Sequence, residues 1–157
     1  MRYSAITYVD VNCGNGCRVS LWVQGCTHHC KGCHNPETWC FDGGKIFDDE
    51  AKEKLFNILS LSYIDGLTLS GGDPLDSYDD VLELVIECKS KFPEKNIWLY
   101  TGYCMEDINP EILPYIDYIV DGEYKEEMRD TSLAFRGSQN QRIWKKGQNN
   151  IFQIVDL

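Results

Sequence analysis

The sequence is poor in positive charge, with 15 Lys and Arg against 25 Asp and Glu among 157 residues. The formal net charge is therefore −10. Proteins that hold nucleic acid through its phosphates need clustered Lys and Arg. We therefore expect no nucleic-acid partner.

Long apolar runs are also absent from the sequence. No stretch approaches the roughly 20 apolar residues that a membrane-spanning helix needs, and no apolar segment of signal-peptide length follows residues 1–6. These absences predict a cytoplasmic protein that has no membrane partner.

Repeats, low-complexity tracts and Pro/Ser-rich linkers are missing as well. We therefore expect a single domain that spans residues 1–157. The chain is too short for a complete eight-stranded α/β barrel, which typically takes about 250 residues. A shorter α/β arrangement is the expected fold class.

Strand-like and helix-like segments alternate along the chain, which predicts a mostly parallel sheet. Ligands collect at the carboxyl ends of the strands in such sheets. A weakly alternating tail at 142–146 and 150–155 predicts a terminal hairpin. The predicted strands are 19–23, 67–70, 97–100 and 118–120, and the predicted helices are 49–63, 78–92 and 110–115.

Three of the eight cysteines form a tight group, because Cys26, Cys30 and Cys33 have the spacing C-x3-C-x2-C directly after a predicted strand. A reducing compartment disfavours disulfides, which makes metal binding the leading role for such thiols. Three thiolates on a 4Fe-4S cluster leave one iron without a protein ligand. A small molecule can then bind that iron directly.

A structural zinc site is the alternative for the same segment, with His28, His29 or His34 as the fourth ligand. Zinc modules usually supply their ligands as two separated pairs in small domains that lack a core. This chain has one tight triplet and enough apolar residues for a core, so the sequence favours the cluster.

The triplet, together with Gly71-Gly72-Asp73-Pro74 after the second predicted strand, resembles the radical S-adenosylmethionine (SAM) superfamily. The late segment 136–142 (RGSQNQR) makes the chain similar, more narrowly, to activating enzymes of anaerobic ribonucleoside-triphosphate reductases. The resemblance implies an incomplete, or partial, radical SAM-type α/β barrel. It covers most of the chain.

By the same resemblance, a 4Fe-4S cluster and SAM together produce a 5′-deoxyadenosyl radical. That radical would take a hydrogen atom from a glycine of the reductase, the protein substrate, and leave a glycyl radical. A flavodoxin or ferredoxin-type protein would donate the electron. The alternatives are activation of another glycyl-radical enzyme, radical SAM chemistry on a small molecule, and a non-catalytic zinc-binding interaction module.

The resemblance also assigns site residues. The cluster ligands would be Cys26, Cys30 and Cys33, while the residues that contact SAM would be Gly32, Cys33, His34, Gly71, Gly72, Asp73 and Thr101. Two positions depart from the common pattern. Gly32 stands where many members have an aromatic residue, and Asp73 stands where Glu is frequent. The shorter Asp73 leaves open whether it reaches SAM or only shapes the turn.

Overall fold

The computed structural model describes all 157 residues, which form one eight-stranded sheet and two α-helices. Short 3-10 helices occupy several of the connections. Neither α-helix is long and apolar enough to cross a membrane. The strands are β1 (Arg2–Asp10), β2 (Arg18–Val23), β3 (Lys45–Ile46), β4 (Gly66–Gly71), β5 (Asn96–Tyr100), β6 (Tyr118–Asp121), β7 (Arg142–Lys146) and β8 (Phe152–Val155), and the helices are α1 (Asp49–Leu59) and α2 (Tyr78–Lys91).

The sheet is mixed and open, which corrects the expectation of a mostly parallel sheet. Its order is β3-β1-β2-β4-β5-β6-β7-β8, and only the central strands β2, β4, β5 and β6 pair in parallel. Short connections join β1 to β2 and β7 to β8, and such connections can only produce antiparallel pairs. The two edge strands, β3 and β8, do not meet, so the sheet does not close.

Most of the predicted elements are confirmed, including the four parallel strands, the helix at α2 and the terminal hairpin. The prediction missed β1, whose residues alternate only weakly in burial. The helix predicted for 49–63 ends at Leu59. The segment predicted as a helix near residues 110–115 is a 3-10 helix, and Pro114 inside it removes a backbone donor that an α-helix would use.

The two faces of the sheet have different surroundings. Both helices pack on one face, here called the helix face, with apolar side chains such as Leu55 and Val85. Alternate strand residues point to opposite faces, so the helix face takes one set of side chains from each parallel strand. This set is fully buried and consists of Val19, Leu21, Val23, Leu67, Leu69, Ile97, Leu99 and Ile119.

The opposite face, here called the cavity face, is covered by the loop 11–17 near the amino ends of the parallel strands. Thr68 donates its hydroxyl to the Cys13 carbonyl at 2.6 Å and accepts from Nε of the fully buried Arg18 at 2.7 Å. The Arg18 guanidinium also lies over the ring of Trp98. The cavity face is therefore filled at this end, and its free space lies toward the carboxyl ends of the strands.

Candidate functional site

A cavity of about 500 Å³ lies on the cavity face and reaches the carboxyl ends of β2, β4 and β5. This cavity is lined by most of the site residues that were predicted from the sequence, namely Cys26, Cys30, Cys33, His34, Gly71, Gly72 and Thr101. Gly32 and Asp73 do not line it. The strand ends therefore bring the cysteine triplet and the Gly-Gly turn to one site, as the parallel order predicts.

Backbone hydrogen bonds fix the first cysteine of the triplet at the edge of this cavity. The Cys26 amide donates to the Trp39 carbonyl at 3.1 Å, and the preceding Gly25 amide donates to the Thr38 carbonyl at 2.7 Å. Within the loop, the Cys33 amide donates to the Cys30 carbonyl at 3.1 Å. Cys26 is buried, whereas the other two cysteines are half-buried.

The cysteine side chains have the chemistry that an iron–sulfur cluster requires. Burial raises the pKa of the Cys26 thiol and that of the Cys30 thiol. Metal binding to a thiol releases its proton. Soft sulfur ligands select iron–sulfur clusters and zinc. Cys26 also belongs to a group with His28 and Asp76 whose possible ligand atoms all lie within 4.8 Å of one another. The cysteine chemistry therefore fits a cluster, and it would also fit a zinc ion.

The three histidines considered as a fourth zinc ligand have other contacts. Both ring nitrogens of His28 face carboxylates, with Nε2 at 2.7 Å from Asp73 and Nδ1 at 2.9 Å from Glu123. His29 stacks on Trp39 at a ring-centroid distance of 4.5 Å. His34 lines the cavity beside the Tyr124 ring. Only His28 has both ring nitrogens hydrogen-bonded to other side chains, whereas His34 lines the same cavity as the triplet.

Asp73 is 1% exposed, and its carboxylate is satisfied by the protein itself. It accepts hydrogen bonds from the Leu75 amide at 3.0 Å, the Thr101 hydroxyl at 2.9 Å and the Gly102 amide at 2.8 Å. With His28 as a further partner, it joins the ends of β4 and β5 to the cysteine loop. The contacts of Asp73 are those of a positioning residue, and its direct contact with SAM stays a prediction.

His28 is held as a cation between two acidic side chains. Its hydrogen bond to Asp73, assisted by one to Glu123, raises its pKa to about 9, although burial acts in the opposite direction. The ring also makes an edge contact with Tyr103 at 4.7 Å. His28 thereby links the cysteine loop to the segments that follow β4 and β6.

The Gly71-Gly72 turn allows the end of β4 to pass close to the cysteine loop. Gly71 has a φ of +103°, and a Cβ there would lie 2.5 Å from the Val23 amide nitrogen. A Cβ on Gly72 would lie 2.3 Å from the Gly25 carbonyl oxygen. No other residue fits at either position, so these glycines are required by close backbone approach.

Several cavity residues were not nominated from the sequence. Alternation along β2 and β5 places Trp22 and Tyr100 on the cavity face, which is a signal that could have identified them. Cys13 also lines the cavity, through the loop before β2. Other lining residues come from the long connection between β6 and β7, whose sequence has no periodicity, and they include Tyr124, Leu133 and Phe135. Arg136, Gly137 and Gln141 also line the cavity and lie in the segment 136–142 that the sequence analysis singled out.

Comparison with known proteins gives consistent matches over most of the chain. Residues 12–144 match the model of the family described as "4Fe-4S single cluster domain", which confirms the cluster expected from the triplet. The chain is similar to anaerobic ribonucleoside-triphosphate reductase-activating proteins from several sources.

The protein of that name from Enterobacteria phage T4 is 47% identical over 147 residues, which cover 92% of this chain and 94% of the relative. Its counterpart from Haemophilus influenzae is 43% identical over 91% of this chain and 97% of its own length. The one from Escherichia coli K12 is 37% identical over the same shares. These matches confirm the resemblance seen in the sequence, and the chain belongs to the anaerobic ribonucleoside-triphosphate reductase-activating protein family.

Proposed function

We propose that this chain activates an anaerobic ribonucleoside-triphosphate reductase by generating a glycyl radical on it. The relatives are named as activating proteins of that reductase. The observation that carries the proposal is the meeting of three cysteines in a cavity of about 500 Å³. A cluster held by three thiolates keeps one iron open to a small molecule.

Cys26, Cys30 and Cys33 would hold the 4Fe-4S cluster, and the rest of the cavity would hold SAM. When bound, the reduced cluster and SAM together supply a 5′-deoxyadenosyl radical that takes a hydrogen atom from a glycine of the reductase. The cavity volume of about 500 Å³ suits SAM, because small-molecule sites are typically about 300–1,000 Å³.

The chain's own residues orient the ligand and exclude water. Gly71 and Gly72 keep the end of β4 free of side chains, so a ligand can approach the backbone there. Thr101 and His34 line the same cavity and offer polar contacts to SAM. Gly32 is exposed, whereas the buried Asp73 positions the cysteine loop and the β5 end. Direct contact of either residue with SAM remains part of the proposal.

The architecture supports a partial radical SAM-type barrel. Four adjacent parallel strands with helices on one face and the cavity on the other correspond to part of such a barrel. A single sheet runs through the whole chain, which supports one domain at residues 1–157. We further propose a cytoplasmic location and a flavodoxin or ferredoxin-type electron donor, since the proposed cluster needs one electron for each cycle.

The test is electron paramagnetic resonance (EPR) of the reductase after anaerobic incubation with this protein, SAM and a reductant. We expect a glycyl radical signal that depends on SAM and on the reconstituted cluster. A matched reaction with S-adenosylhomocysteine in place of SAM should give no signal, because that molecule has no sulfonium to cleave. Absence of the radical from the complete reaction would reject the proposal.

A further inference from the structure

The cavity is lined almost entirely by uncharged groups. Its lining includes no Asp, Glu or Lys, and Arg136 is its one permanently charged side chain. The whole chain has a net charge of −10, with fewer basic than acidic residues. A lone positive side chain in the cavity is therefore unexpected from the composition. A charge in a confined site is costly unless a partner offsets it. Arg136 therefore needs an explanation.

The contacts of Arg136 leave its charge without a strong counterion. Its Nη1 donates to the Gln141 carbonyl at 2.9 Å, which is a neutral acceptor. Its Nη2 lies 3.5 Å from Asp156, whose side chain is 96% exposed. An ion pair of that length with an exposed partner contributes little. The Arg136 Nε is buried and has no hydrogen-bond partner.

The backbone around Arg136 is held firmly in place. Residues 129–138 form a small hairpin, closed by a bridge between Arg129 and Ser138. The Gln141 side-chain oxygen accepts from the Gly137 amide at 2.9 Å and from the Ser138 amide at 3.1 Å. These hydrogen bonds fix the position of the hairpin, and a side chain on a fixed backbone is suited to specific ligand binding.

Phe135 shows that the tip of this hairpin is in an unfavourable conformation. Its φ of +62° is rare for a residue other than glycine. Its ring packs against Trp98 at 5.3 Å, which compensates for the strain and keeps the tip against the cavity face. Backbone strain that the surroundings maintain concentrates at ligand sites. The strain here lies directly beside Arg136.

Two further donors that line the cavity lack partners, namely the Trp39 indole N–H and the Tyr100 hydroxyl. Burial raises the pKa of Tyr100 well above its usual value, so this group keeps its proton. A lining that offers donors and one positive charge, with no carboxylate, suits an anionic oxygen ligand. A guanidinium forms charge-assisted hydrogen bonds with carboxylates, and carboxylates are the anions that the proposed function would bring to this cavity.

We propose that Arg136 forms a carboxylate-binding subsite of this cavity. The inference rests on the proposed function, which supplies two sources of that chemistry. One source is the carboxylate of SAM, and the other is a carboxylate on the reductase segment that presents the glycine. In either case the guanidinium orients the ligand by binding its carboxylate, and it takes no part in the bond changes.

The test uses the reconstituted protein with its cluster, as wild type, Arg136→Gln and Arg136→Lys. Arg129→Gln is the matched control, because Arg129 lies on the same hairpin, is half exposed and does not line the cavity. Three dissociation constants are measured for each form, with S-adenosylhomocysteine, with 5′-methylthioadenosine and with the reductase. The first ligand has a carboxylate, whereas the second has none.

If SAM is the source, Arg136→Gln weakens S-adenosylhomocysteine binding by about 10- to 100-fold, as expected for a lost charge-assisted hydrogen bond. If the reductase is the source, the same loss is seen in reductase binding instead. Arg136→Lys recovers part of either loss. Binding of 5′-methylthioadenosine and all constants of the Arg129→Gln control stay within about twofold of wild type, the latter because an exposed group contributes little.

Unchanged binding of both carboxylate ligands by Arg136→Gln would overturn the subsite. A variant that fails to fold would lose 5′-methylthioadenosine binding as well, and the Arg136→Lys protein then carries the test. Failure of the proposed function looks different, because the wild-type protein would then produce no glycyl radical on the reductase, whereas the subsite is judged by the change in binding from wild type to Arg136→Gln.

Discussion

Neighbouring residues of β4 contribute to two unlike regions of the molecule. Leu67 and Leu69 are fully buried on the helix face, whereas Thr68 and Ser70 point to the cavity face. The helix face is an apolar core with no ligand space. The cavity face combines polar and aromatic side chains, unpartnered donors and a cavity of about 500 Å³. One strand thus supplies stability on one side and the site on the other.

The cysteines repeat this contrast. Cys88 is fully buried on α2 against the helix face, and burial raises its pKa to about 12, so it is an inert packing residue. Cys26, Cys30 and Cys33 line the cavity instead. The two groups have the same side chain, and only their placement separates a core residue from a proposed cluster ligand.

The largest effect is expected from Cys30→Ala, which removes one of the three sulfurs proposed to hold the cluster. The protein should lose its iron–sulfur absorption and its SAM binding while its secondary structure is retained. Iron and sulfide analysis after anaerobic reconstitution measures the loss. Cys40→Ala is the control, because Cys40 is exposed and does not line the cavity. A full iron–sulfur content in Cys30→Ala would show that Cys30 is not a cluster ligand.

The next effect separates the two faces on a single strand. Leu69→Ala should lower the free energy of unfolding by about 2–5 kcal/mol, because it leaves a void under the helices. Ser70→Ala, one residue away on the cavity face, should change it by no more than about 0.5 kcal/mol. Urea unfolding of the two variants gives both values. Equal losses of unfolding free energy would mean that the helix face does not contribute more to stability than the cavity face.

A smaller effect is expected at the junction between the two regions. Asp73→Asn replaces an acceptor of several hydrogen bonds with a group that also donates, so we expect a loss of about 1–3 kcal/mol and weaker SAM binding. Asp79→Asn on the exposed start of α2 is the control. Thermal unfolding and SAM titration would reveal the difference. If Asp73→Asn bound SAM as tightly as wild type, the positioning role assigned to Asp73 would be wrong.

The smallest effect is expected from Cys88→Ala, which should cost about 1 kcal/mol of stability. Its cluster content and SAM binding should equal those of wild type, because Cys88 lies on the helix face. Denaturant unfolding and iron analysis provide the comparison. Loss of iron in this variant would show that the proposed ligand set is wrong.

Local patterns predicted much of this fold and part of the site. The parallel strands follow from short apolar runs such as 97–100, and the cysteine triplet and Gly71-Gly72 are consecutive motifs. The mixed sheet was not predicted, because β1 alternates only weakly and was not identified as a strand. The segment with Arg136 was singled out from the sequence, but its place at the cavity was not, because it lies with Tyr124 in an aperiodic connection that only tertiary structure positions.

EPR of the reduced, reconstituted protein before and after addition of SAM tests the central claim most directly. An open iron on a cluster held by Cys26, Cys30 and Cys33 predicts a 4Fe-4S signal whose shape changes when SAM binds. A colourless protein that contains one zinc, or a cluster signal that SAM leaves unchanged, would contradict this account.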